Sequence, residues 1–416
     1  MNRDTNRAGE ANLASQMKIA QRREKATGFL LIAPLIALML VTFVFPIGLM
    51  LYRSVDNPIV ADTLPRTIDA LRDWQASAPP DEAAYAALAE DLRKASAAGA
   101  IGRLGTRLNF ELPGATTAVN QAARVAASAE DPAQSYRELL IEANKVWGDV
   151  AIWSTIRQLS PRWTDVYYLT ALDLERDVAG RIVAKPDHRA TYVSLFVRTI
   201  WVSAFVTLAC VLLAYPIAYQ IANQPTSTAN ILLFLVLLPF WTSALVRTTA
   251  WIIILQRQGI INDLLVWTGL LANEDRIQLV YNMTGTLIAM VHVLLPFMVL
   301  PIYSVMKSIS PEYVQAAQSL GGSPVNAWRR IYFPQTLPGL GAGCILVFVS
   351  AIGYYITPAL VGGRNGRLIS NFIAFHMQES LNWGLAAALG GLLLAGVLGL
   401  YFLYDRAFGL NRLRLG

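Results

Sequence analysis

Residues Ser310–Pro338 read SPEYVQAAQSLGGSPVNAWRRIYFPQTLP. Ser310, Pro311 and Glu312 supply an N-cap, a proline whose missing N–H costs nothing at the first helical position, and an acid near the positive helix end. They predict a helix through Gln315, Ala316 and Ala317 to about Ser319. Gly321-Gly322 stops it, because glycine accepts the left-handed conformation of a tight turn. Ser323-Pro324 starts a second short helix by the same device, which carries Trp328 and Ile331 toward one side and ends by Pro334. The stretch is basic at Lys307, Arg329 and Arg330 and lies between two long apolar runs, so two short helices are expected along a membrane surface.

Outward from this loop, the apolar residues are blocked, not scattered. A bilayer core of ~30 Å takes about 20 apolar residues per helix. Six segments qualify: Gly28–Tyr52, Val193–Ala222, Ile231–Leu255 (interrupted near Pro239), Thr284–Met306, Gly339–Leu360 and Leu385–Tyr404. Hydrophobic residues are 55% of the 416 and charged ones only 15%, which a soluble domain could not accommodate. The expected fold class is an all-α polytopic membrane protein. Arg3, Arg7, Lys18, Arg22, Arg23 and Lys25 place the N-terminus in the cytoplasm, and Arg406, Arg412 and Arg414 place the C-terminus there too. The loop 307–338 then falls inside, and the localisation expected is a plasma membrane. The first span is too long for a cleaved signal peptide and lacks a small-residue cleavage site. The net charge of +6 reflects these basic flanks, so no nucleic-acid partner is expected, while membrane lipid is.

Residues 53–192 are a different material. They hold 19 of the 28 acidic residues, are rich in alanine, and are punctuated by Pro65, Pro79-Pro80, Pro113, Pro132 and Pro161. Asp81-Glu82 opens a run of strong helix formers, and Tyr136 to Trp147 reads the same way. A soluble, mostly helical insertion outside the cytoplasm is expected. The chain therefore divides into a cytoplasmic tail (1–27), a first span (28–52), the insertion (53–192), a five-helix core (193–404) containing the loop 307–338, and a cytoplasmic tail (405–416).

Catalytic signatures are lacking. There is no G-x-x-x-x-G-K-[ST] loop to cradle nucleotide phosphates, no H-E-x-x-H and no G-x-S-x-G elbow. His188, His292 and His376 are scattered, so no metal site is expected, and Cys210 and Cys344 read as small buried hydrophobes. Neither an enzyme nor a bound cofactor is expected of this chain.

The resemblance lies in the quoted loop. It looks like the EAA loop of membrane subunits in binding-protein-dependent ABC importers: Glu-Ala-Ala, three residues, Gly, nine residues, Ile, one residue, Leu-Pro. Here Gln315-Ala316-Ala317, Gly321, Ile331 and Phe333-Pro334 hold those intervals, with Gln315 in place of Glu and Phe333 in place of Leu. Gln keeps length and an acceptor but loses a charge. LLPFWTSALVRTTAWI (Leu237–Ile252), MVHVLLPFMVLPIY (Met290–Tyr303) and IGYYITPALVGG (Ile352–Gly363) look like the spermidine/putrescine-type branch, of which the insertion is not typical. The resemblance implies a type I ABC importer permease with an ATPase-coupling loop of Glu312, Gln315, Ala316, Ala317, Gly321, Ser323, Trp328, Ile331 and Pro334. It implies a cytoplasmic ATPase dimer carrying ATP and Mg, a second homologous permease subunit or second copy, and an extracytoplasmic substrate-binding protein. The cargo implied is a small organic cation such as a polyamine. A permease for opines or amino acid derivatives is an alternative, as is a membrane-anchored sensory or structural protein whose working part is the insertion.

Within the membrane, Trp241, Arg247, His292, Tyr354, Tyr355 and Asn371 are candidates for a translocation path, because aromatic faces attract ammonium groups and polar residues in spans carry function. Each has a structural alternative: interfacial snorkelling for Arg247, belt or core packing for Trp241, and an interhelical hydrogen bond for His292. Tyr354-Tyr355 is expected inside the fifth span. Gly339 and Gly343, and Gly391, Ala395 and Gly399, recur every four residues, as helix-packing faces do. Pro296, Pro301 and Pro358 are expected as kinks or flex points.

Overall fold

In the computed structural model, residues 25, 27–128 and 135–408 are described. Arg3, Arg7, Lys18, Arg22, Arg23, Pro132, Arg412 and Arg414, on which part of the topology reading rests, lie outside the described residues, as does most of each expected tail. The chain divides into two units, one ending at Arg53 and one beginning at Ser54.

The first unit is helix α1, Thr27–Arg53, whose 27 residues and mean hydropathy of 2.7 suffice to cross a bilayer. Its middle widens into a π turn, Leu40–Val44, closed by the Phe45 N–H on the Leu40 carbonyl. Pro46 explains it. A proline ring collides with the carbonyl four residues back, and one wide turn moves that carbonyl aside without ending the helix.

The second unit opens with seven short helices: α2 (Pro58–Thr63), α3 (Pro65–Ala70), α4 (Glu82–Ala97), α5 (Ile101–Asn109), α6 (Ala115–Ser128), α7 (Tyr136–Ala143) and α8 (Val150–Gln158). Asp81 caps α4 through the Ala84 N–H, as its position foretold. Their buried faces meet around Tyr85, Trp147 and Trp153. The Trp147 carbonyl accepts from Tyr85 Oη at 2.6 Å and from Trp153 Nε1 at 2.9 Å, so the polar atoms of these rings stay satisfied inside an apolar core. Each such buried side chain contributes about 1.5–3 kcal/mol, which lets these residues hold a core of their own.

That core ends at Leu159, short of the expected boundary. The rest, α9 (Val166–Ala171) and an antiparallel hairpin of β1 (Leu174–Arg176) and β2 (Ile182–Ala184), forms a seat on the membrane helices. The hairpin is the one strand pair among the described residues.

The membrane part of this unit opens with α10 (Tyr192–Ala222), α11 (Thr226–Leu237), α12 (Ala244–Leu255), α13 (Ile260–Trp267) and α14 (Met283–Ser308). After them come α15 (Pro311–Ser319), α16 (Pro324–Gly353), α17 (Ile356–Val361), α18 (Ile369–Gln378) and α19 (Trp383–Phe408). Three of these bury a four-residue repeat: Val202, Val206, Cys210, Ala214 and Ala218 on α10, Met290, Leu294, Met298, Ile302 and Met306 on α14, and Gly339, Gly343, Val347 and Ala351 on α16. Residues at this spacing share one helix face, so the stripes close on one another as a common core. Gly339 and Gly343 bring the backbones together: a β-carbon at 339 would meet the Pro301 carbonyl oxygen at 2.7 Å, and one at 343 would meet Met298 Sδ at 2.7 Å. The second small-residue face behaves differently. Gly391 is buried, but Ala395 and Gly399 are exposed and nothing lies within 4 Å of a β-carbon at 399.

Three expectations are refined or corrected. First, the interruption expected near Pro239 falls at Thr242-Ser243 and is a sharp bend: Thr226–Trp241 and Ala244–Trp267 meet at 99°. Thr242 and Ser243 are extended, and Ser243 caps the new helix by accepting the Val246 N–H at 3.2 Å. Secondly, the helix begun at Ser323-Pro324 does not end by Pro334. It continues as α16 through a π turn at Trp328–Tyr332, so the fifth span begins well before Gly339. Pro334 follows that turn as Pro46 follows the one in α1, and both prolines are preceded by phenylalanine. Thirdly, the fifth span stops at Gly353, and Tyr354-Tyr355 form a break before α17. Pro358 dictates the place, since in a continuous helix its ring would strike the Tyr354 carbonyl.

Candidate functional site

Helix α15 and the start of α16 stand beyond the membrane core at the end where α14 finishes. Ser310 Oγ accepts the Glu312 N–H at 3.4 Å, and no residue of α15 is buried. Glu312, Gln315 and Ala316 are exposed and Ala317 half-exposed, in a surface that also carries Tyr313, Leu320 and Val325. The glycine stop is as the sequence reads. Gly321 has φ +86°, and the Gly322 N–H reaches the Ala317 carbonyl at 3.0 Å, where a β-carbon at 322 would come within 2.7 Å of that oxygen. Ser323 then caps α16 through the Asn326 N–H at 3.4 Å.

Aromatic rings fasten this element to the core. Trp328 packs edge-on against Tyr215 of α10, with ring centroids 6.1 Å apart, and Tyr332, 8% exposed, meets Tyr219 at 5.6 Å. Ile331, half-buried, sits in the π turn, and Pro334, exposed, just after it. The loop residues therefore run from an exposed helix, through the glycine turn, to a wide π turn at the inner edge.

The path candidates do not gather in one place. His292 lines a cavity of about 530 Å³ with Pro216 and Gln220 of α10, Pro239 and Pro296. Its Nδ1 accepts from Trp251 Nε1 at 3.1 Å, which ties α14 to α12. Prolines from three elements meet here, and Pro216, in mid-helix, is the signal the sequence reading passed over. Arg247 turns back onto the α11–α12 break, donating to the Thr242 carbonyl at 2.9 Å. Trp241 is 67% exposed beside Phe234.

Tyr354, Tyr355 and Asn371 do come together. Side chains of α18 reach the break: Ser370 Oγ donates to the freed Tyr354 O at 2.8 Å, and Asn371 Nδ2 donates at 2.7 Å to Tyr355 O, which also accepts the Ala359 N–H at 3.0 Å. Asn371 Oδ1 in turn accepts the Leu368 N–H at 2.9 Å. Asn371 is therefore a bracket for irregular backbone, and the Tyr355 ring is left on a second cavity of about 330 Å³. Arg367 and Gln378, absent from the sequence-level candidates, line it too.

The insertion's seat closes the opposite end of α10. Asp173, at φ +56°, accepts the N–H groups of Thr191 (2.9 Å), Tyr192 (3.0 Å) and Val193 (2.7 Å) and so caps α10 from outside it. Tyr167 packs with Leu195, Ile369, Leu385 and Leu389, and Arg107 lies over its ring at 4.8 Å. His376 of α18 bridges Tyr192 Oη (2.9 Å) and Ser380 Oγ (2.8 Å), and burial pushes its pKa down to about 4. At 31 residues α10 is about 46 Å long, with the Asp173 cap at one end and Tyr219, against Tyr332, at the other.

Residues 201–407 match the family described as "Binding-protein-dependent transport system inner membrane component". Over 217 residues the chain is 35% identical to the spermidine/putrescine transport system permease protein PotB of Escherichia coli (strain K12), covering 52% of this chain and 78% of that protein. It is 34% identical over 219 residues to PotB of Haemophilus influenzae (strain ATCC 51907 / DSM 11121 / KW20 / Rd), covering 51% and 75%. Among solved structures, a bacterial ABC transporter involved in the import of the acidic polysaccharide alginate matches with TM-score 0.44 and 18% identity, covering 52% of this chain and 79% of that one. The chain is a multi-pass inner-membrane protein and belongs to the family of binding-protein-dependent transport system inner membrane components.

Proposed function

We propose that this chain forms, with a second homologous subunit or a second copy, the membrane passage of an ATP-driven importer of small organic amines. The names of its relatives point to polyamines such as spermidine and putrescine as the cargo. The observation that carries the reading is α15: a capped helix with no buried residue, between two tightly packed spans, with Gln315, Ala316, Ala317 and Gly321 at the spacing of the family's coupling loop. A helix that packs only Val314 against the core and leaves the rest of its surface open, yet sits on the most closely packed helix pair, is suited to hand motion from a partner to the spans. The partner we infer is a cytoplasmic ATPase dimer, which holds the ATP and Mg while this chain catalyses nothing. In this topology both termini and α15 are cytoplasmic. The insertion, at the other end of α10, is extracytoplasmic, where it meets the substrate-binding protein or caps the outer mouth.

Cysteine placed at Ala316 tests this in native membranes. A short bifunctional cross-linker should join the chain to a nucleotide-hydrolysing subunit, and ATP should change the yield. Absence of any such product from assembled, expressed protein would overturn the reading.

A further inference from the structure

The cavity of about 330 Å³ beside α18 is walled by Tyr355, Arg367, Phe372, Phe375, Gln378 and Glu379. Arg367 stands just before the N-terminus of that helix and Glu379 just after its last residue. Each is at the helix end whose partial charge repels it, a cation at the positive end and an anion at the negative end. Helix stability therefore does not account for either. Among the described residues neither side chain makes an ion pair or hydrogen bond, whereas Asp263 and Arg276 pair at 2.7 Å. Tyr355 and Phe375, each 41% exposed, present rings on the same wall, and Asn371 fixes the backbone under Tyr355. An ammonium group is attracted to ring faces and to a carboxylate, and an anion to a guanidinium.

We propose that this cavity is a subsite for a small zwitterion, with its ammonium group at Glu379 between Tyr355 and Phe375 and its anionic end at Arg367. The proposal rests on the reading of the chain as a passage for small amines and departs from the polyamine cargo to which the relatives' names point: the far end of the amine is anionic. A diamine would set its second ammonium against Arg367, and that repulsion is the selective element.

The test uses the intact complex with its ATPase in lipid nanodiscs and two probes, 5-aminovalerate and putrescine, which share a methylene chain and differ in one end group. Binding is measured calorimetrically. 5-Aminovalerate should bind at least about tenfold more tightly than putrescine, Arg367→Glu should reverse that order, and Glu379→Gln should weaken 5-aminovalerate about tenfold. Both positions are exposed, so the variants should keep the wild-type melting temperature. Tighter putrescine binding, a ratio unmoved by Arg367→Glu, or no binding of either probe would overturn the proposal. So would binding that appears only when phosphatidylethanolamine is replaced by phosphatidylglycerol, because a lipid headgroup would then be the occupant. The cross-link at Ala316 reports on the importer reading independently, so the two can fail separately.

Discussion

The ring of Tyr167 lies so close over Gly384 that a β-carbon at 384 would overlap it. The contact joins the insertion's seat to the first turn of α19. Gly384→Ala should force the two apart, at a cost of about 1–3 kcal/mol typical of overpacking. Tyr167→Leu should recover part of that loss in the double variant. Thermal unfolding followed by tryptophan fluorescence would show it, and equal stabilities of wild type and Gly384→Ala would contradict the packing described.

Asp173 accepts three N–H groups at the start of α10, so Asp173→Ala should cost about 1–2 kcal/mol, as loss of a helix cap does. Asparagine keeps one acceptor oxygen and should fall between. Hydrogen exchange at Thr191, Tyr192 and Val193 should accelerate in the same order, while the amides of α15 stay unchanged.

Gly321 holds φ +86° with open space around it, so the penalty for a side chain there is conformational and not steric. Gly321→Val should cost about 1–3 kcal/mol locally and re-aim α15 relative to α16. Uptake and transport-linked ATP hydrolysis should both fall while the assembly remains intact on size exclusion. Retention of both activities would remove α15 from the coupling role.

The two small-residue faces should separate in one experiment. Gly339→Leu drives a side chain into Pro301 and Val305 and should sharply reduce the folded protein recovered from membranes. Gly399→Leu meets nothing within 4 Å and should leave the chain's own fold intact. Equal recovery of the two variants would mean that the four-residue spacing does not act through close backbone approach.

His376 sets a pH dependence. Its folded pKa, lowered to about 4 by burial, lies below the ordinary value of 6.5. Protonation is thus taken up by the unfolded state first, so the full stabilisation holds above pH 6.5 and declines as pH falls toward 4. The slope is at most about 1.4 kcal/mol per pH unit. Melting temperatures from pH 7.5 to 4.5 should drop less in His376→Gln than in the wild type.

Much of this was legible because it is local. Ser310-Pro311, Gly321-Gly322 and Ser323-Pro324 act on their own backbone, and each does in space what its residue type allows. The misreadings concern prolines and distant partners. Pro334 was read as a stop, but a π turn absorbs its ring and the helix runs on. Pro358 was read as a flex point inside a span, whereas it ends the span at Gly353. The Tyr354 carbonyl that the break leaves without a helical partner is taken by Ser370, 16 residues further on. Ser243 was a helix cap hidden in an apolar run, where only the 99° bend makes its role plain. The seat of the insertion depends on Tyr167 meeting Gly384, a pairing across more than 200 positions that no local pattern announces.

The position of the Asp173 clamp has one more consequence. A helix held at its first turn by a carboxylate and at its last by an edge-to-face tyrosine pair behaves as a strut with both ends pinned. A protein that lands on the insertion and tilts it loads that strut directly, and the strain arrives beside the turn where the Trp328 segment joins the membrane. On the importer reading proposed above, occupancy on one face of the bilayer would thereby acquire a stiff line of communication to the motor on the other.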